Sequence, residues 1–135
     1  MKVNKVIIHT DGAARGNPGP AAIGATIKDE TGNLIARISK RIGVTTNNQA
    51  EYRAIITALE KAINSGAKHV VLKSDSELVV HQINGRYKIK NTALRPLYQK
   101  VVQLTGSLES FTISYIPREQ NAEADALANK ALDEI

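Results

Sequence analysis

Three strand-like segments follow one another before the first helical segment, and after them strands alternate with helices. That order constrains the fold more than any other feature of the chain. Val3–Thr10 (VNKVIIHT) is β-branched and nearly continuous, the pattern of a strand covered on both faces. Asp11–Pro20 is rich in Gly, Asn and Pro and reads as a loop. Ala22–Asp29 reads as a second strand, and Glu30–Asn33 as a hairpin turn. Leu34, Ala36 and Ile38 then alternate with Ile35, Arg37 and Ser39, which predicts a third strand.

Helical spacing begins at Ala54, Ile55, Ala58, Leu59, Ala62 and Ile63, with Asn47 or Asn48 as cap and Gly66 as stop. His69–Ser74 is a fourth strand. Ser76–Ile83 and Leu94–Leu104 are helices, the second tolerating Pro96 in its first turn. Phe111, Ile113 and Tyr115 alternate in a fifth strand, and Asn121 caps a last helix carrying Ala124, Leu127, Ala128 and Ala131. The order β-β-β-α-β-α-α-β-α predicts an α/β fold: a mixed five-stranded sheet with helices on both faces. With 135 residues, one domain spanning 1–135 is expected.

Composition narrows the chemistry. There is no Cys, which excludes disulfides, thiol nucleophiles and Cys-based zinc sites. Aromatics are 4% of the chain, too few for a base-stacking platform. No apolar run reaches the ~18–20 residues that span a bilayer, and the N-terminus lacks a signal-peptide pattern. A cytoplasmic protein without membrane attachment is expected. The formal charge is +5, and its distribution is uneven. Between Leu78 and Leu108 no acid occurs, while Arg86, Lys88, Lys90, Arg95 and Lys100 fall there. Thr31–Ala50 holds Arg37, Lys40 and Arg41 with Glu and Asp absent. A solvated surface and a phosphate-tracking patch fit this pattern equally.

Four acids sit where chemistry is done in α/β folds. Asp11 and Asp75 are expected at the ends of the first and fourth strands, the edge where ligands bind. Glu51 and Asp125 are expected in first helical turns, bordering the apolar faces. Each has a plainer explanation. An acid in a first turn complements the helix dipole by about 0.3–1 kcal/mol. Asp11 before Gly is a common turn pair, and Asp75 could cap the helix that follows it. Topology favours a joint reading: if the first and fourth strands are neighbours, Asp11 and Asp75 adjoin and the two helix starts can face them. Four carboxylates so placed repel and need cations. Oxygen-only ligation points to Mg²⁺ or Mn²⁺.

These residues also carry a family resemblance. His9–Pro20 (HTDGAARGNPGP) resembles the first motif of type 1 ribonuclease H, Thr45–Tyr52 (TTNNQAEY) the second, Ser74–Ser76 (SDS) the third, and Asn121–Ala128 (NAEADALA) the fourth. All four occur in order and the match spans essentially the whole chain. The resemblance implies a ribonuclease H-like fold and hydrolysis of the RNA strand of RNA–DNA hybrids, leaving 5′-phosphate and 3′-hydroxyl ends. It implies two Mg²⁺ or Mn²⁺ ions per site, with Asp11, Glu51, Asp75 and Asp125 as ligands and catalytic groups. It further implies that Gly12, Asn17, Asn47 and Asn48 contact sugars or base edges in the minor groove, and that Thr46 helps bind a DNA phosphate. Arg86, Lys88 and Lys90 are expected to add backbone contacts, and the protein to act as a monomer.

Two departures stand out. Many type 1 enzymes carry a His in the loop before the last acidic helix; here Ile116–Asn121 (IPREQN) has none, and Arg118 or Glu119 is the candidate auxiliary group. The segment Gly85–Lys100 is basic but short and lacks Trp, and no separate hybrid-binding domain is expected. Two other function classes stay open: another nuclease or strand-transfer enzyme on the same fold, and a non-catalytic nucleic-acid-binding module. The Asn/Thr set suits reading of 2′-hydroxyls, which a DNA-only enzyme does not need. A pure binder has no use for clustered negative charge facing phosphates.

Overall fold

The structure, a computed structural model, describes residues 4–134. Strands β1 (Lys5–Ala14), β2 (Gly19–Asp29), β3 (Leu34–Thr45), β4 (His69–Ser74) and β5 (Ser110–Tyr115) form one sheet in the order β3-β2-β1-β4-β5. The first three are antiparallel neighbours, whereas β4 and β5 run parallel to β1. Parallel pairing requires crossovers. Helix α1 (Asn47–Asn64) supplies the one before β4, and α2 (Glu77–Ile83) with α3 (Arg95–Thr105) the one before β5. Helix α4 (Ala122–Asp133) closes the described chain.

Alternation along β1 divides the two layers. Val6 and Ile8 join Ile27, Tyr52, Ile55, Leu59, Val70 and Leu72 in the main core under α1 and α3. On the opposite face Ala13 packs with Ala22, Ala131 and Leu132 beneath α4. Helices therefore cover both faces, and the scarcity of aromatics is met by aliphatic side chains and alanines, with Tyr52 the largest fully buried side chain.

Several boundaries differ from those read in the sequence. The start of the first strand at Val3 lies outside the described residues. The expected loop Asp11–Pro20 shrinks to a tight connection, because β1 continues through Ala14 and β2 begins at Gly19. Asp11 is therefore inside a strand, paired with Gly24, rather than at its end. The third strand runs on to Thr45 despite Lys40, Arg41 and Gly43, because its backbone ladder with β2 persists across two register shifts. The cap of α1 is Thr46, whose hydroxyl accepts from the Gln49 N–H at 3.2 Å, not Asn47 or Asn48. Asn121 precedes α4 without a side-chain capping bond.

Candidate active site

Asp11, Glu51 and Asp75 each offer a carboxylate oxygen, and these atoms lie within 4.8 Å of one another. Three different elements deliver them. Asp11 projects from the centre of the sheet on the face it shares with Ala13. Asp75 follows the last residue of β4, which is β1's parallel neighbour. Glu51 comes from α1, beyond its first turn, where no acid is found. Dipole compensation therefore does not account for Glu51. Capping does not account for Asp75 either, because Ser76 caps α2 through the Val79 N–H.

Two glycines allow this convergence. A Cβ on Gly12 would lie 2.3 Å from the Ala50 carbonyl carbon and 2.4 Å from the Glu51 nitrogen. The bare backbone of β1 is what lets α1 approach and set Glu51 beside Asp11. On the neighbouring strand, a Cβ on Gly24 would lie 2.2 Å from the Ala124 carbonyl oxygen and 2.5 Å from the Ala128 nitrogen. That position lets α4 settle onto the sheet directly beside Asp11, and α4 carries Asp125.

Asp125 is in the first turn of α4, as its sequence position predicts. Its carboxylate lies 3.6 Å from Arg118 Nη2 and accepts from Asn129 Nδ2 at 3.3 Å. All four acids line one cleft of about 530 Å³, together with Gly12, Asn47, Asn48, Tyr115, Arg118 and Asn129.

The electrostatics of the cluster are unfavourable to its own charge. Burial, then the neighbouring Asp75 and Asp125 carboxylates, push the Asp11 pKa up to about 7. Burial, then Asp11 and Asp75, hold Glu51 well above the ordinary carboxylate range. Burial raises Asp75 as well, opposed by Asn121 and Arg118. Glu51 Oε2 is buried without a hydrogen-bond partner, a costly state for a carboxylate oxygen. A hard cation would satisfy that oxygen and offset the mutual repulsion, and an all-oxygen donor set suits Mg²⁺ or Mn²⁺.

The other sequence-predicted residues divide. Asn17 and Asn47 join the β1–β2 connection to the start of α1: Asn47 Oδ1 accepts from the Ala14 N–H at 2.8 Å, and Asn17 Oδ1 accepts from the Asn47 N–H at 3.1 Å. Neither side-chain Nδ2 has a partner among the described residues, so both can donate outward. Thr46 is engaged as the α1 cap. Gly12 is buried against α1, though it still borders the cleft.

Arg118 and Glu119 part company. Arg118 enters the carboxylate cleft, while Glu119 lines a separate cavity of about 220 Å³ with His9 and Lys28. Successive residues of a 3₁₀ turn point about 120° apart, so only one of this pair can face the site. Arg86, Lys88 and Lys90 are exposed and outside the cleft. Lys88 instead borders a cavity of about 320 Å³ with Tyr87, Arg95 and Tyr98. Sequence reasoning missed Tyr115, Asn129 and Gly24. Asn129 was within reach, four residues after Asp125 and thus on the same helical face. Tyr115 read only as an alternating strand residue, and nothing in the local pattern singled out Gly24.

The chain is similar to known proteins in sequence and in fold. A family model described as "Reverse transcriptase-like" matches residues 9–131. The chain is similar to the ribonuclease H of Alcanivorax borkumensis, at 33% identity over 98% of this chain and 95% of that protein. It is 41% identical to a bifunctional protein of Mycobacterium tuberculosis, and spans 36% of that protein's length. Among solved structures, RNase H1 of Halobacterium salinarum superposes with a TM-score of 0.95 at 41% identity, covering 98% of this chain and all of that one. LC11-RNase H1, solved in complex with an RNA/DNA hybrid, superposes with a TM-score of 0.90 at 46% identity over 95% of this chain and 96% of that one.

Proposed function

The chain belongs to the ribonuclease H family, and from that premise we propose that it hydrolyses the RNA strand of RNA–DNA hybrids, leaving 5′-phosphate and 3′-hydroxyl ends. The observation that carries the reading is the convergence of one carboxylate oxygen each from Asp11, Glu51 and Asp75 within 4.8 Å of one another, at a Glu51 side chain whose Oε2 is buried and partnerless. The relative bound to a hybrid supports the choice of substrate. In this reading residues 1–135 form one catalytic domain, acting as a monomer in the cytoplasm.

Asp11, Glu51, Asp75 and Asp125 would hold two Mg²⁺ or Mn²⁺ ions. Such a pair supplies an activated water and neutralises the attacking and leaving oxygens of an in-line displacement. No side-chain nucleophile is required, which suits a chain without Cys. The protein's own groups bind and orient the duplex. Asn47 and Asn48 border the cleft on the α1 side, where their amides can contact the 2′-hydroxyls that distinguish RNA from DNA. Thr46 and the α1 N-terminus, whose Asn47 and Gln49 N–H groups are already engaged, would offer the helix dipole and the remaining Asn48 N–H to a backbone phosphate. Arg118 lends positive charge on the Asp125 side. Arg86, Lys88 and Lys90 would contact phosphates further along the duplex.

End-labelled RNA–DNA hybrid, duplex RNA and duplex DNA, each incubated with Mg²⁺, Mn²⁺ or excess EDTA, test the proposal. Cleavage confined to the RNA strand of the hybrid and to the reactions with metal is expected. Undiminished cutting in EDTA, or cutting of duplex DNA, would overturn it.

A further inference from the structure

Asn121 stands just before α4 and is 1% exposed, yet it does not cap the helix with its side chain. That amide does something else. Its Nδ2 donates to the Thr10 carbonyl at 2.9 Å, the peptide that leads directly into Asp11. Its own carbonyl accepts from the Asp125 N–H at 3.1 Å. One buried residue thus ties β1 just before Asp11 to the first turn of α4, which carries Asp125. Those elements carry two of the four acids and share no local sequence.

We propose that Asn121 is a positioning residue, whose amide clamps β1 to the start of α4 and so holds Asp11 and Asp125 at the spacing that binds cations. The inference rests on reading the carboxylate cluster as a metal site. The physical need is clear. Repelling carboxylates move apart unless their backbones are pinned, and a site that must first be drawn together binds cations more weakly. Asn is suited to the task because it supplies a donor for the Thr10 carbonyl at neutral charge. Asp in its place would lose that donor and set a carboxylate against the Thr10 carbonyl, beside an already acidic cluster. Ala would leave the Thr10 carbonyl without its partner.

The test compares wild type with Asn121→Ala, Asn121→Asp and Asn121→Ser by calorimetric titration of Mn²⁺ without substrate, thermal melting, and hybrid cleavage at several Mn²⁺ concentrations. Loss of a group that orients metal ligands typically costs 10–100-fold in affinity or activity. Mn²⁺ affinity of folded Asn121→Ala and Asn121→Asp should fall about that much. The rate constant kcat should fall in parallel and recover partly at high Mn²⁺, with KM for the hybrid unchanged. Asn121→Ser, smaller and uncharged, keeps the fold testable if the other variants do not fold, and should show the same split. Lowered melting temperature with Mn²⁺ affinity and kcat intact would overturn the proposal and leave Asn121 a structural residue. Wild type that binds no Mn²⁺ would remove the underlying metal-site reading, and the clamp with it.

Discussion

Replacing Asp11 by Asn removes one charge from the cluster at nearly constant shape, and its effect on stability follows from the site. Without cations, the Asp11 carboxyl has a pKa of about 7 in the fold, against 3.8 as its ordinary value. Below pH 4 the group is protonated in both states and costs nothing. As pH rises from 4 to 7 the unfolded chain releases the proton while the folded protein keeps it, so stability falls. Each pKa unit corresponds to about 1.36 kcal/mol, which sets a ceiling of about 4 kcal/mol above pH 7. Asp11→Asn escapes this loss. Urea unfolding in EDTA should therefore show the variant equal to wild type near pH 4 and about 1–4 kcal/mol more stable at pH 8. The gap should shrink in Mg²⁺, since a cation at 100 times its Kd stabilises the wild type by about 2.7 kcal/mol. Hybrid cleavage by the variant should be abolished. A difference that does not vary with pH, or a variant less stable than wild type at pH 8 in EDTA, would refute the reasoning.

Gly24→Ala should destabilise by about 1–3 kcal/mol, as overpacking does, and should also slow cleavage, because the added Cβ pushes away the helix that carries Asp125; denaturant melts and initial rates check both. Thr46→Ala should lose about 1 kcal/mol with its helix cap, read by thermal unfolding, and should weaken hybrid binding in direct titration. Neutralising Lys88 and Lys90 together should flatten the slope of log K against log salt by roughly 0.9 per lost phosphate contact on a B-form scale; an unchanged slope would show that these lysines are merely solvated.

Much of the fold was legible in the chain because periodicity reports burial. The β-branched run read at Val3–Thr10 overlaps β1 from Lys5 onward, that at His69–Ser74 coincides with β4, and the 3.6-residue spacing of Ile55, Ala58, Leu59 and Ala62 lies inside α1. Boundaries were less legible where backbone pairing overrides composition. Asp11–Ala14 looks like loop by residue type and the alternation of the third strand reads only to Ser39, yet ladder bonds to β2 extend both strands. The cap of α1 was misplaced although Thr46, Asn47 and Asn48 are all competent caps: Thr46 takes the Gln49 N–H while the Asn47 side chain is drawn to the Ala14 N–H.

The sequence alone set the order of strands and helices, the absence of thiol chemistry, and the presence of four acids at the edges of apolar segments. Those properties depend on residue type and on neighbours within a few positions. Only the tertiary structure decided that Asp11, Glu51 and Asp75 meet within 4.8 Å. It also decided that Arg118 faces them while Glu119 turns away, and that Gly12, Gly24 and Asn121 hold the arrangement together. Their parts depend on how closely α1 and α4 approach the sheet and on a hydrogen bond spanning 111 positions. Such distances arise from packing between segments remote in the chain, and no local pattern encodes them.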